Sequence, residues 1–307
     1  MTSQDQRHVV KADDGHEIHV RTWRPDGEVN GVVQLLHGLG EHIGRYERFA
    51  NACVSQGMAV VAHNHRGHGP ECDQYGYFAA KEGWQKVLTD VLAVHNDIKS
   101  RFDDQPIILF GHSMGSFIAQ AFAINFATPL AGLALSGSGW PSRLQMLPGR
   151  LVAKFEAWRL GKHGYSTFLD RLGFGAFNKP FKPARTEFDW LSRDEAEVDK
   201  YIADELCGGP FTSGLWLDML GGLADIGGEA ALRRIPAELP IYIVGGTADP
   251  VGGDKGLGKL AFHYAQTGHG RLRVKIYPDG RHEMLNETNR DEVMADLIEW
   301  FTSCSSR

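Results

Sequence analysis

The stretch Ile107-Ile108-Leu109-Phe110-Gly111-His112-Ser113-Met114-Gly115 decides the fold class of this 307-residue chain. Its apolar start is typical of a buried strand, and Ser116-Phe117-Ile118-Ala119-Gln120-Ala121-Phe122 continues as a helix. Between them lies Gly-x-Ser-x-Gly, which places a serine on a strained turn with small neighbours two positions away. The helix N-terminus favours negative charge that develops there. The pattern predicts Ser113 as a nucleophile, since a phosphate-binding loop would need the lysine of a P-loop.

Strand and helix signals alternate outward from this stretch, which predicts an α/β fold with a mostly parallel, doubly wound sheet. An antiparallel pair comes first, because Val9-Val10 and Ile18-His19-Val20 flank the turn Asp13-Asp14-Gly15. The uncharged segment 105–142 imitates a membrane span in length, but its glycine, serine and proline breaks favour strand, helix and strand. Further strands are predicted at 31–36, 58–62, 240–244 and 272–277, and helices at 47–56, 83–102 and 290–301.

The alternation stops between Leu135 and Ile241, where no convincing strand is found. Residues 140–216 of this segment contain 13 of the 31 aromatic residues in the chain. We therefore expect a helical cap insertion at 140–216, between a first part of the core at 1–139 and a second part at 217–307. One more layer of the core is the alternative.

A serine nucleophile needs a base, and the base needs an acid that orients it. Asp249 follows the strand at 240–244, and His282 follows the last strand, so both lie where strand-end loops gather a site. The order serine, acid, histidine is the one expected for such a sheet. Asp254 and Asp279 are weaker candidates for the acid, because the first lies further into a glycine-rich loop and the second in a turn.

The tetrahedral intermediate of acyl transfer needs hydrogen-bond donors for its oxyanion. One donor is the backbone N–H of Met114, directly after the nucleophile. The second is expected in the loop after an early strand, where His37-Gly38-Leu39-Gly40 follows the strand at 31–36. The backbone N–H of Leu39 is therefore the second predicted donor.

Three motifs together resemble the monoacylglycerol lipase and lysophospholipase-like group of α/β-hydrolases, which includes the S33-type serine aminopeptidases. They are 37–42 with Arg45-Tyr46, 64–69 and 111–115. The resemblance spans nearly the whole chain and implies an eight-stranded α/β-hydrolase sheet. It implies hydrolysis of a single-acyl-chain lipid ester, such as a monoacylglycerol or lysophospholipid, through an acyl-enzyme and without metal or organic cofactor. Pro70 departs from the serine often found there. Substrate contacts are expected from His37, His42, Arg45, His112, Phe155 and Trp158.

Composition limits the partners. The formal charge of −6 gives no support for nucleic-acid binding, which normally leaves a basic surface. The four cysteines are far apart in sequence and read as free thiols of a reducing compartment. The N-terminal residues include no apolar leader. We therefore expect a cytoplasmic protein, whose oligomeric state the sequence does not decide.

Three further patterns carry alternatives. The histidines of 63–68 resemble the H-x-H-x-x-H of dinuclear metal hydrolases, but Gly67 stands where an aspartate normally precedes the last histidine, and we expect no metal. The acidic residues of 187–205 either anchor the amine of an aminopeptidase substrate or form a solvated helix face. The basic, amphipathic segment 140–165 either roofs the acyl pocket or makes transient contact with a membrane surface.

A non-catalytic ligand-binding member of the fold is disfavoured. Such proteins typically lose one residue of the serine, acid and histidine triad, and none is missing here.

Overall fold

A single eight-stranded sheet forms the centre of the computed structural model, which describes residues 3–103 and 105–306. The strand order is β1-β2-β4-β3-β5-β6-β7-β8. The first two strands run antiparallel to their neighbours, and the other six are parallel. The predicted mostly parallel, doubly wound sheet is confirmed. The strands are β1 (Ser3–Lys11), β2 (Glu17–Pro25), β3 (Gly31–Leu36), β4 (Met58–His63), β5 (Ile107–His112), β6 (Gly132–Ser136), β7 (Ile241–Gly246) and β8 (Leu272–Tyr277).

Helices cover both faces of the sheet because the central strands are apolar on both sides. In β5, Ile108 and Phe110 pack against one face, and Leu109 packs against the other. The first face carries α1 and α10, and the second carries α2, α3 and α9. The uncharged segment 105–142 forms β5, α3 and β6, as predicted. No helix in the described ranges is long and apolar enough to cross a bilayer. These helices are α1 (Glu47–Ser55), α2 (Gly83–Arg101), α3 (Met114–Asn125), α9 (Gly253–Gln266) and α10 (Arg290–Ser305).

The segment between β6 and β7 is helical and lies over the carboxyl ends of the strands. Its helix α7 packs against α4 on one side and against α2 and α3 on the other. The expected boundary between residues 216 and 217 falls inside α7, so one continuous helix spans it. The five α-helices of this segment are α4 (Arg143–Leu160), α5 (Thr167–Phe174), α6 (Glu195–Ala203), α7 (Ser213–Ile226) and α8 (Glu229–Leu232), and a short 3-10 helix lies at Lys179–Phe181.

Candidate active site

Ser113 occupies a strained turn between the end of β5 and the start of α3. Its φ of 51° and ψ of −119° lie in a region that residues with a side chain rarely adopt. The turn is held by the Ser113 amide, which donates to the Ser136 carbonyl at 2.8 Å. A Cβ atom at Gly111 would lie 2.2 Å from the Gly115 carbonyl oxygen, so the turn requires glycine there. The local geometry is the one expected from Gly-x-Ser-x-Gly.

Asp249 and His282 meet at the same edge of the sheet, in the loops after β7 and β8. The His282 Nδ1 and Asp249 Oδ1 atoms are 2.9 Å apart, and both side chains are buried. Burial by itself lowers the pKa of His282, but the charge and hydrogen bond of Asp249 outweigh it and raise that pKa above its ordinary value. The rival acids Asp254 and Asp279 are exposed. Asp249 is therefore the carboxylate placed to orient the histidine.

The Leu39 and Met114 amides have the properties of oxyanion donors. Neither donates a hydrogen bond to another group in the part of the chain that the structure describes. A Cβ atom added to Gly38 would lie 3.2 Å from the Ser113 Cβ, so the backbone of this loop runs directly beside the serine. Two unpaired N–H groups beside the Ser113 side chain suit an oxygen that gains negative charge.

A cavity of about 620 Å³ joins these groups to the cap. Leu39, His112, Ser113 and His282 line its core side. Its cap side was missed in the sequence, although the aromatic excess of 140–216 is the signal that could have located it. The aromatic cap residues that line the cavity are Phe174, Phe177, Phe188, Trp190, Tyr201 and Phe211.

His112 is the one expected substrate contact that does line the cavity. Its ring lies 4.8 Å from the ring of His282, centroid to centroid. Burial, assisted by the nearby His282, lowers the pKa of His112 to about 4, so this ring is neutral at neutral pH. Gly137, with φ of 57°, faces both rings, and a Cβ there would lie about 3 Å from each. His112 and Gly137 therefore fix the position of the His282 ring.

The other five expected substrate contacts do not line the cavity. His37 is buried and accepts the His65 amide at Nε2, while its Nδ1 donates to the Gly38 carbonyl. His42 pairs with Asp204, and Arg45 is held between the carboxylates of Glu41 and Glu283. Phe155 and Trp158 point to solvent, with 56% and 78% of their surface exposed. Their helical spacing predicted an apolar face but not the direction in which the face is turned.

The histidine-rich turn at 63–68 does not gather metal ligands. The ring of His65 packs on His37 at 4.3 Å, and the turn supports the oxyanion loop. Among the described residues, only His42, Asp204 and Cys207 bring three ligand atoms within 4.8 Å of one another. The Gly44 amide donates to His42 Nδ1, so Nε2 carries the proton and donates to Asp204. A metal would need that Nε2 lone pair free.

The acidic residues of 187–205 are mostly paired away from the cavity. Asp194 pairs with Arg290, and Glu197 pairs with Arg48 and Lys200. Glu187 alone among the acids of this segment lines the cavity, and it is exposed. In the described ranges, this segment therefore presents one carboxylate to a substrate amine rather than a buried cluster.

The sheet order, with a serine after β5, an acid after β7 and a histidine after β8, defines an α/β-hydrolase. A family model described as "Serine aminopeptidase, S33" matches residues 27–289, and the chain belongs to this family. It is similar to a monoglyceride lipase of Mus musculus, at 30% identity over 82% of this chain and 76% of that protein. A monoacylglycerol lipase of Mycolicibacterium smegmatis is 28% identical over 94% of each chain. The structure of a thermostable carboxyl esterase from Bacillus coagulans, in complex with glycerol, has 28% identity and a TM-score of 0.88, covering 99% of this chain and 100% of that one.

Proposed function

We propose that this carboxylic ester hydrolase is a serine enzyme that cleaves lipid esters with one acyl chain, such as monoacylglycerols or lysophospholipids. The observation that carries the proposal is the aromatic cavity of the cap, which opens directly onto Ser113 and His282. Its volume of about 620 Å³ lies within the usual range of small-molecule sites. The lipases among the relatives support the same substrate class.

The acylation step follows from the geometry. His282 accepts the proton of the Ser113 hydroxyl while the serine oxygen attacks the acyl carbon. The oxyanion that forms takes hydrogen bonds from the Leu39 and Met114 amides. His282 then gives its proton to the leaving alcohol, and the acyl group stays on Ser113.

Deacylation repeats the sequence with water. His282 removes a proton from the water that attacks the acyl-enzyme, and Ser113 leaves as a hydroxyl. Asp249 holds Nδ1 of His282 protonated and stabilises the imidazolium that forms in both steps.

Because the pKa of His282 is raised, we expect the acid limb of kcat/KM to lie above pH 6.5.

Two other functions serve as alternatives. A peptidase has the support of the family description, and Glu187 is the carboxylate available to hold a substrate amine. A non-catalytic ligand-binding protein would not need the pairing of His282 with Asp249.

The four free cysteines fit a reducing compartment such as the cytoplasm, which is the location that we propose.

An activity panel tests the proposal. Monoacylglycerols of increasing acyl length, lysophosphatidylcholine, simple alcohol esters and an aminoacyl-naphthylamide are compared by kcat/KM. We expect single-chain lipid esters to exceed the naphthylamide by at least about 100-fold, since six aromatic side chains line the cavity and only one of its carboxylates, that of Glu187, is exposed. A preference for the naphthylamide would instead establish the peptidase.

The outer face of α4 and α5 supports transient contact with a membrane surface. Leu144 is 81% exposed and Trp158 is 78% exposed, and both belong to α4. Arginine and lysine residues of the same helix stand among these apolar side chains, which suits an anionic lipid surface. The exposed apolar side chains of this cap face are Leu144, Leu147, Leu151, Phe155, Trp158, Phe168 and Leu172.

Replacing Phe155 and Trp158 together by serine is expected to lower binding to phosphatidylglycerol vesicles about tenfold or more, because two apolar side chains then no longer enter the lipid. Sedimentation with vesicles measures the bound fraction. The matched control is Phe262→Ser on α9, since Phe262 is 56% exposed, as Phe155 is. If both variants bound the vesicles equally well, the exposed face of α4 and α5 would not be the membrane contact.

A further inference from the structure

Next to the proposed catalytic residues, one arginine side chain lies between two buried glutamates. Arg45 donates to the Glu41 carboxylate at 2.9 Å and to both oxygens of Glu283, at 2.6 and 2.7 Å. Glu41 and Glu283 are 4% and 5% exposed. Ion pairs at this depth lose much hydration, so they are retained only with close geometry. We call these three residues the Glu41–Arg45–Glu283 group.

One end of the group holds the oxyanion loop. Glu41 accepts the backbone amide of Gly38 at 2.6 Å and the hydroxyl of Tyr46 at 2.7 Å. Gly38 directly precedes Leu39, whose amide is the oxyanion donor of the proposed mechanism. The carboxylate of Glu41 therefore sets the direction of the chain as it enters the donor position.

The other end holds the histidine loop. Glu283 follows His282 in sequence, and its carboxylate is bound by both terminal nitrogens of Arg45. The amides of His282 and Glu283 donate to the carbonyls of Trp190 and Leu191 in the cap. The base is thus fixed from two sides, by the cap through its backbone and by Arg45 through its neighbour.

Arg45 also reaches the far side of the oxyanion loop through Tyr201. Its guanidinium lies over the Tyr201 ring, 4.8 Å from the centroid. The Tyr201 hydroxyl donates to the Gly40 carbonyl at 2.9 Å, and the Gly208 amide donates to the same oxygen at 3.0 Å. The oxyanion loop is therefore gripped at Gly38 and at Gly40, and both contacts lead back to Arg45.

We propose that Arg45 is a positioning residue that aligns the oxyanion loop with the general base, so that the two parts of the site are held in register. Arg45 does not line the cavity that opens onto Ser113. The inference rests on the proposed function. Since a displacement of about 1 Å in a catalytic group costs up to about 100-fold in rate, alignment of this kind acts on kcat rather than on substrate affinity.

Two substitutions separate alignment from folding. Arg45→Lys keeps the positive charge but loses the planar fork that binds both oxygens of Glu283 while it also reaches Glu41. We expect kcat to fall about 10- to 100-fold, with KM changed less than about threefold. Tyr201→Phe leaves the ring beside Arg45 and in the cavity wall and removes only the hydroxyl that donates to the Gly40 carbonyl, and we expect a fall in kcat of about tenfold.

The matched control is Glu197→Gln. Glu197 is buried and paired with Arg48 and Lys200, and the Arg48 pair joins α1 to the cap helix α6 without touching either catalytic loop. Glu197→Gln therefore breaks an ion pair between α1 and α6, and it shows what the loss of such a pair does to the enzyme without a change at the catalytic loops. We expect its kcat and KM to stay within about twofold of the unmodified protein.

The pH profile supplies a readout that a purely structural role would not move. The ionisable groups facing His282 are Asp249, Glu283, Glu41 and His112. Glu283→Gln removes one negative charge that raises the pKa of His282, so the acid limb of kcat/KM is expected to shift to lower pH. Glu197→Gln is expected to leave that limb in place.

The outcomes distinguish this inference from the proposed function. An active unmodified enzyme whose Arg45→Lys and Tyr201→Phe variants match Glu197→Gln in kcat would overturn the positioning role alone. A rise in KM with kcat unchanged would also overturn it, since that would make Arg45 a substrate contact. An unmodified protein that turns over no ester of the panel overturns the proposed function, and the inference with it.

Discussion

Replacing Ser113 with alanine is expected to lower kcat by about four to six orders of magnitude, because no other group at the site can form the acyl-enzyme. Hydrolysis of a p-nitrophenyl ester measures the loss, and labelling by a fluorophosphonate reports the nucleophile directly. The variant should bind substrate with nearly unchanged affinity, since Leu39, Met114 and the aromatic cavity remain. Turnover that persists in Ser113→Ala would refute the assignment of the nucleophile.

A companion substitution, Ser113→Gly, tests whether the turn at residue 113 stores backbone strain. Glycine adopts the φ of 51° freely, and we expect relief of about 1–3 kcal/mol, reduced by the larger chain entropy of glycine. Ser113→Gly should therefore be inactive yet about 1 kcal/mol more stable than Ser113→Ala. Urea unfolding of the two inactive variants makes the comparison. Equal stability would mean that the turn stores no strain.

The second large expected effect is a steep loss of stability in acid. Burial lowers the pKa of four histidines to about 4, so the folded protein leaves them neutral where the unfolded chain would protonate them. Their stabilisation is full above pH 6.5 and is lost as the pH falls from about 6.5 towards 4. His282 acts in the opposite direction because its pKa is raised. The four residues are His63, His68, His95 and His112.

The size of this effect follows from the pKa difference. A shift from 6.5 to about 4 corresponds to about 3 kcal/mol for each histidine at pH 4. A domain is stabilised by about 5–15 kcal/mol in total. Four such groups together oppose folding by about 12 kcal/mol at pH 4, which is comparable with the whole stability of a domain. We expect cooperative acid unfolding between pH 6.5 and 4, followed by circular dichroism.

The variant His63→Leu isolates one of these histidines. Neither ring nitrogen of His63 has a hydrogen-bond partner in the described part of the chain, so leucine removes the titration without breaking a polar contact. Between pH 6.5 and 5 the variant should lose about 2 kcal/mol less unfolding free energy than the unmodified protein. His163→Gln, at an exposed position, is the control. Parallel pH dependence in all three proteins would contradict the prediction.

Several parts of the fold were predictable because their signals are local. The turn at Ser113 requires glycine at positions 111 and 115, so these residues mark it in the sequence. The structure has the strand, the turn and the helix there as predicted. The chain order of serine, acid and histidine predicted Asp249 and His282. In the structure, Asp249 Oδ1 and His282 Nδ1 are 2.9 Å apart. Strand-end loops meet at one edge of a parallel sheet, so the order in sequence implies proximity in space.

The remaining parts depend on long-range packing that periodicity does not encode. Phe155 and Trp158 have helical spacing, but that spacing does not show whether the face meets the core or solvent. Arg45, which belongs to one of the family-like motifs, was expected to contact substrate. Its actual partner Glu283 lies 238 residues away along the chain. Buried charges are satisfied by partners that only the tertiary structure brings together.

The two hydrogen bonds that Gly40 accepts from Tyr201 and Gly208 have a consequence for protein engineering. Exchanging the segment 140–216 for that of a relative would be one route to a changed specificity. Here the exchanged segment would carry part of the catalytic framework with it, because the oxyanion loop is held by cap residues. A productive chimera therefore has to keep residues 201–208 from this chain, or import the oxyanion loop of the donor together with its cap.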